Sequence, residues 1–252
     1  MYRTLFKPPF WITVGFAIIT ALATNGKASQ AIAFAKPTVS LSSVQQNTVM
    51  LAQTSPEADA ISNPEVVPLL QEAIQLEERG DFRGAIAVYQ QILELDPQDF
   101  RAMNVIAGLY GNLGEFEQEI IWAEQAIATN PEFHLAYINY GTALAVLGRL
   151  DESQTAFETA VGLAPDDPLG YYSLGVFFEI QREFEIALGL YQKAVEVDPT
   201  FEDGYFNLAA MYANLGEFEA AIAALEKVLE LNPDAEDAKA MKAAIEADPR
   251  NQ

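Results

Sequence analysis

The chain has 252 residues and half of them are apolar, enough for a sizeable core. It carries 14 Lys+Arg against 36 Asp+Glu, a formal net charge of −22; such a body repels phosphate backbones, which argues against a nucleic-acid partner. There is no cysteine, which excludes disulfides, thiolate metal sites and a lipid-bearing cysteine.

The charge is unevenly placed along the chain. Residues 1–56 hold four basic side chains, Arg3, Lys7, Lys27 and Lys36, and no acid. Residues 57–252 hold the other 10 basic residues and all 36 acids, a net of −26. An acidic surface keeps an apolar-rich chain soluble, and it also complements a basic partner.

Residues 1–9 form a positive leader with Arg3, Lys7, Pro8 and Pro9, and residues 10–23 carry no charge. A polar stretch follows, and then two small-x-small sites that end at Ala33 and Ala35. Leader, short apolar run and small-residue cleavage site read together as a signal peptide over residues 1–35. The alternative is an uncleaved membrane anchor. As a helix the apolar run reaches about 21 Å, against a hydrocarbon core of roughly 30 Å. Lengthening it through Phe6 places Lys7, Pro8 and Pro9 inside the span. The expectation is export to the periplasm or an equivalent lumenal compartment of a bacterium, with membrane contact only through this segment if it stays uncut. Residues 36–63 are rich in Ser, Thr, Gln, Asn and Pro, lack aromatics and predict a disordered linker.

From Pro97 onward, proline returns every 34 residues, at Pro131, Pro165, Pro199 and Pro233. A period of that length marks a supersecondary unit that buries its apolar face only by stacking on its neighbours. The units are 66–99, 100–133, 134–167, 168–201 and 202–235, and apolar residues within each fall at helical spacing. Gly80, Gly114, Gly148 and Gly216 are expected to end the first helix of their units in the left-handed conformation. An acid after such a glycine, as at Asp81, Glu115 and Glu217, suits the partly positive start of the second helix. Asp96, Asn130, Asp198 and Asn232 precede the repeat prolines. Proline disfavours helix at that place, and Asp and Asn there are expected to take a left-handed turn. Arg182 replaces the turn glycine in one unit, and Ala164 replaces the Asp or Asn in another.

With these features the chain resembles the tetratricopeptide repeat (TPR) family. In unit 168–201 the family's bulky places hold Tyr171, Leu174, Phe178, Phe184 and Tyr191, its small places Gly175, Ala187 and Ala194, and its proline Pro199. In unit 202–235 they hold Tyr205, Leu208, Tyr212, Phe218 and Leu225, then Ala209, Ala221 and Val228, then Pro233. Glu72 stands where a bulky residue belongs, and Glu119 where a small one does. Gly141 and Gly175 are expected to be places of close helix approach. The resemblance implies an all-α, right-handed α-solenoid of five helix–turn–helix units over residues 64–235. A capping helix and tail follow over residues 236–252.

Little in the sequence supports catalysis. His134 is the only histidine and reads as a surface residue, so neither a zinc site nor a Ser/His or Cys/His nucleophile can be assembled. Gly108 and Gly111 lack the Gly-Lys of a phosphate loop. The acid pairs Asp166 with Asp167 and Glu202 with Asp203 lie at helix starts, where they satisfy helix amino ends. The expectation is a protein that is not an enzyme and has no cofactor and no metal.

The resemblance also implies a concave groove lined by the first helix of each unit. Carried onto this sequence, the groove holds Arg101, Asn104, Asn112, Leu135, Ile138, Asn139 and Thr142. Leu169, Tyr172, Val176, Ile180, Asp203, Phe206, Asn207 and Asn214 complete it. Half of these are expected to pack between helices. The basic clamp by which some relatives grip a chaperone's C-terminal carboxylate is reduced to Arg101, so the chain is unlike a chaperone-tail receptor. The function implied is a scaffold or assembly factor that binds a basic or apolar peptide segment of a protein partner. Two other readings stay open: divalent-metal handling through acids such as Asp166 and Asp167, and self-association through an exposed repeat end. The sequence leaves the oligomeric state open.

Overall fold

The computed structural model describes residues 64–248, so the expected signal peptide and linker lie outside the described residues. The described residues form helices and no strand. The helices are α1 (Val66–Glu78), α2 (Phe82–Leu95), α3 (Phe100–Asn112), α4 (Phe116–Thr129), α5 (His134–Val146) and α6 (Leu150–Leu163). They continue with α7 (Pro168–Ile180), α8 (Phe184–Val197), α9 (Glu202–Leu215), α10 (Phe218–Leu231) and α11 (Glu236–Glu246). Each of the five units contributes one antiparallel pair, and α11 follows the last.

The turn inside each unit closes in the same way. Gly80, Gly114, Gly148 and Gly216 have φ of 73°, 73°, 78° and 81°. The next N–H donates to the carbonyl five residues back: Asp81 to Leu76 at 2.8 Å, Glu115 to Tyr110 at 2.9 Å, Arg149 to Leu144 at 2.9 Å and Glu217 to Tyr212 at 2.8 Å. That closure satisfies carbonyls left over at a helix end. The fourth unit makes the same turn without glycine. Arg182 takes φ 66°, and Glu183 donates to Phe178 at 2.9 Å.

The residues before the repeat prolines correct the sequence expectation. Asp96, Asn130, Asp198 and Asn232 have φ between −125° and −137° and are extended, not left-handed. The proline ring crowds the preceding residue toward the β region. Their side-chain Oδ1 atoms instead accept from the N–H two residues on, of Gln98 (3.0 Å), Glu132 (3.1 Å), Thr200 (2.8 Å) and Asp234 (3.2 Å). These are Asx turns, which bend the chain into the next helix. Ala164, without such an oxygen, still takes a φ of −135°.

Helix starts divide by side-chain length. Asp81 Oδ1 accepts from the Gly84 N–H at 3.0 Å, and Asp99 Oδ1 accepts from Arg101 and Ala102 at 3.0 Å each. Glu115, Glu183 and Glu217 precede their helices as Asp81 does but make no capping bond. One methylene longer, they act on the helix end through charge alone.

The close approaches fall where expected. A Cβ on Gly175 would lie 2.8 Å from the Tyr191 ring, and one on Gly141 would lie 2.9 Å from the Phe157 ring. Glu119 departs from the small-residue pattern and is nevertheless buried, at 2 % exposure. It fits because Gly111 opposite has no side chain, and a Cβ there would be 2.6 Å from Glu119 Oε2. Glu72 is exposed. At the other end α11 lays Ala238, Met241 and Ile245 into the cluster that includes Leu225 and Val228 of α10. Lys239, Ala240, Ala243 and Glu246 remain on its exposed side. Helix α11 therefore caps the stack with a polar outer face.

Candidate partner-binding face

Helices α3, α5 and α7 stand side by side, and α7 shares a buried cluster with α9, so the first helices of successive units share one face. Asn139 on α5 ties that face to α3: its Nδ2 donates to Asn104 Oδ1 at 2.8 Å and to the Asn104 carbonyl at 3.1 Å. Thr142 turns its hydroxyl to the Ile138 carbonyl at 2.8 Å, within its own helix. Arg101 lies over the Phe100 ring, 4.8 Å from the ring centre.

The twelve residues central to the expected groove divide by burial. Asn104, Tyr172 and Asn207 are buried and belong to the helix packing. Arg101, Asn112, Ile138, Asn139, Thr142, Val176 and Phe206 are half-buried, while Ile180, at 50 % exposure, and Asn214 are open to solvent. With Ile138 and Leu169, which pack against buried clusters, the three buried residues place about half of the expected groove in the helix packing, as expected. Val176 and Phe206 also pack against the buried cluster of the fourth and fifth units.

One end of this face holds a polar cluster that sequence reading did not assemble. The Tyr172 ring lies 5.8 Å from that of Tyr191 and 5.3 Å from that of Phe201. Tyr191 Oη donates to Glu179 Oε2 at 2.6 Å. The Asn207 amide lies beside both phenols and favours their ionised forms, while the buried Tyr172 Oη finds no partner in good hydrogen-bond geometry. Burial, followed by the charges of Asp203 and Glu179, pushes the Tyr172 hydroxyl far above the ordinary phenol range. Burial raises the Glu179 carboxyl, and the Tyr191 bond partly offsets that. Asp203 is pushed up to about 6 by burial and then by neighbouring Glu202.

The first unit repeats part of this arrangement, with Tyr89 Oη donating to Glu77 Oε1 at 2.9 Å. Both pairs join a glutamate near the end of a first helix to a tyrosine twelve residues on. That repeated spacing is the sequence signal that could have found them.

Other expected site residues have structural roles. His134 is not a free surface residue: its Nε2 lies 2.9 Å from Asp167 Oδ2, joining the third unit to the start of the fourth. Asp167 Oδ1 accepts from the Leu169 N–H at 2.8 Å and so caps α7. Among the described residues no group of three His, Cys, Asp or Glu side chains is placed to hold a metal ion.

Comparison with known proteins adds the following. A family model described as tetratricopeptide repeat matches residues 202–235, and a second model of that description matches residues 70–132, 122–168 and 138–202. Tetratricopeptide repeat protein 28 of Homo sapiens is 32% identical over 97 residues, which are 38% of this chain and 4% of that much longer protein. The solved structure of TTC0263, a thermophilic TPR protein of Thermus thermophilus, superposes with a TM-score of 0.64 at 20% identity, covering 71% of this chain and 98% of that one. PilW, a type IV pilus biogenesis factor, superposes with a TM-score of 0.56 at 20% identity, covering 76% of this chain and 98% of its own. At such identities the likeness is one of fold.

Proposed function

This chain belongs to the tetratricopeptide repeat family, and on that footing we propose that it is a non-catalytic scaffold that holds a segment of a partner protein against α3, α5, α7 and α9. Proteins of this family act as protein–protein interaction scaffolds, and their fold is typically non-catalytic. The observation that carries the reading is the chemistry of that face. Half-buried Ile138, Val176 and Phe206 and exposed Ile180 offer apolar area, and side-chain amides stand between them. Apolar area gains roughly 25 cal/mol per Å² in gross transfer when covered, while amides both donate to and accept from a peptide backbone.

Co-purification with the full chain as bait tests the reading. Ile180→Glu with Phe206→Ala alters the proposed face without touching buried Tyr172. Ile186→Glu places the same charge on an exposed residue of α8 as a control. A protein retained by the parent and the control but lost by the face variant supports the groove. Retention by all three places the partner elsewhere.

Export accompanies this proposal and rests on the leader, apolar run and cleavage sites of residues 1–35. Sequencing the N-terminus of the protein from a cell-envelope fraction checks it. The expected first residue is Phe34 or Lys36, and an intact leader would favour the anchor instead.

A further inference from the structure

We propose that a cavity between α5 and α6 of the third unit is a second binding site, which takes a lysine side chain of a partner protein against Tyr137, Tyr140 and Asp151. Helical spacing sets Tyr137 and Tyr140 on the side of α5 opposite Ile138, Asn139 and Thr142, so the cavity is separate from the groove. Three observations converge on it.

The first is the cavity and its walls. It has a volume of about 360 Å³, room for a side chain, and the two half-buried tyrosines line it together with residues of α6. Several polar groups in those walls are already engaged. Tyr137 Oη donates to the Pro131 carbonyl at 3.2 Å, Thr155 Oγ1 to the Asp151 carbonyl at 2.9 Å and Thr159 Oγ1 to the Thr155 carbonyl at 2.7 Å. What remains for a ligand is rings, methyl groups and carboxylates. A lysine suits such walls, since its stem lies on apolar surface and its ammonium is drawn both to aromatic faces and to a carboxylate.

The second is the register of the repeats. Tyr137, Tyr171 and Tyr205 stand at one place of the third, fourth and fifth units, each 22 residues before Thr159, Lys193 and Lys227 respectively. The fourth and fifth units thus set a lysine where the third has Thr159. Those lysines lie along the surface at 43 % and 53 % side-chain exposure, their heads held by Glu196 at 3.0 Å and Glu230 at 2.6 Å. Lys227 is near enough to Tyr205 to feel its charge. Gly162 takes the place of the glutamate in the third unit, and a Cβ there would meet nothing within 4 Å. The surface that a lysine covers in two units is open in this one.

The third is charge. Arg149 forks onto Glu152 at 2.8 and 2.6 Å and neutralises it. Asp151 is joined to no lysine or arginine among the described residues. The cavity therefore keeps one uncompensated carboxylate, which matches one ammonium and disfavours an anion. The net charge of −26 over residues 57–252 draws basic segments toward it from a distance. A metal ion is a poorer occupant, because among the described residues no three ligating side chains come together.

Fluorescence anisotropy on the full chain tests the site with labelled peptides of leucine, alanine and serine that carry one central lysine or norleucine. The lysine peptide is expected to bind about tenfold more tightly, the effect of one ammonium on a ring and a carboxylate. Thr159→Lys with Gly162→Glu rebuilds in the third unit the pair found in the fourth and fifth. It leaves the net charge unchanged and is expected to remove the preference by filling the cavity. Asp151→Asn is near-isosteric and is expected to remove most of it. Gln154→Lys puts a positive charge on α6 outside the cavity lining and is expected to keep it.

Equal affinity for the two peptides, or no binding of either, overturns the lysine site and leaves the groove to its own test by co-purification. A preference kept by the rebuilt variant, or lost equally in Gln154→Lys, reduces the effect to general acidic attraction and overturns it too. Loss of the preference in Ile180→Glu with Phe206→Ala places the lysine in the groove and removes the separate site. Should the preference appear only after Lys27→Glu with Lys36→Glu, the occupant is the chain's own basic segment and not a partner.

Discussion

Gly175 and Tyr191 share a space that one added carbon would overfill, since a Cβ on the glycine would lie 2.8 Å from the ring. Gly175→Leu is expected to destabilise the chain by roughly 1–3 kcal/mol through overpacking. An unchanged denaturation midpoint would contradict that packing. Glu119 presents the reverse situation, a large polar residue in a space vacated by Gly111. Its Oε2 has no hydrogen-bond partner, and burial pushes its carboxyl well above the ordinary 4.5. The native chain thus keeps a proton that the unfolded chain loses, so this residue lowers stability as pH rises above about 4.5. Glu119→Gln removes that dependence. The variant is expected to gain on the parent as pH rises above about 4.5, measured by urea unfolding; a gap that stays constant with pH would mean the carboxyl ionises normally. The sequence marked both sites through the repeat register, but the pairing of Glu119 with Gly111 depends on which helices face each other.

Among elements, the turns were more legible than the helix starts. Four glycines announced their positive φ, and Arg182 adopts 66° at the same place because the hydrogen bonds around it are those of the other four turns. A left-handed conformation costs a residue with a Cβ roughly 1–2 kcal/mol, and glycine recovers most of that while losing some entropy on folding. Arg182→Gly is therefore expected to stabilise the fourth unit by roughly 0.5–1 kcal/mol. A loss of stability on melting would show that the arginine side chain makes compensating contacts. The prolines located the ends of the second helices, yet the conformation before them was misjudged. Tolerance of the left-handed region by Asp and Asn was weighed above the steric demand of the proline ring, and the ring prevails. The oxygens at Asp96, Asn130, Asp198 and Asn232 serve instead as acceptors in Asx turns.

At the scale of the molecule, the stack ends in a cap whose inner side is core. Met241 is buried among residues of the last unit, so a charge there breaks the cap and cannot serve as a probe of self-association. Met241→Glu is expected to speed amide exchange in α9 to α11 and leave the first two units protected, because each unit is stabilised by its neighbours. Loss of protection spread evenly over all five units would mean that the array unfolds as one body. The link from His134 to Asp167 is of the same kind, one unit held to the next.

A spacing of 34 residues, helical periodicity and the turn glycines were sufficient for the sequence alone to determine the repeat architecture. Those signals are local and recur, so each unit corroborates the others. Which side chains line the shared face, and which disappear into the packing, was decided only by stacking. Asn104, Ile138, Tyr172 and Phe206 stand at the same register place of their units, yet Asn104 and Tyr172 are buried while Ile138 and Phe206 are only half-buried. The neighbouring helix determines how much water each one sees. The cluster of Tyr172, Glu179, Tyr191, Asp203 and Asn207 draws on three helices, and its desolvated carboxylates arise from burial, a property of the assembled stack and not of any one segment.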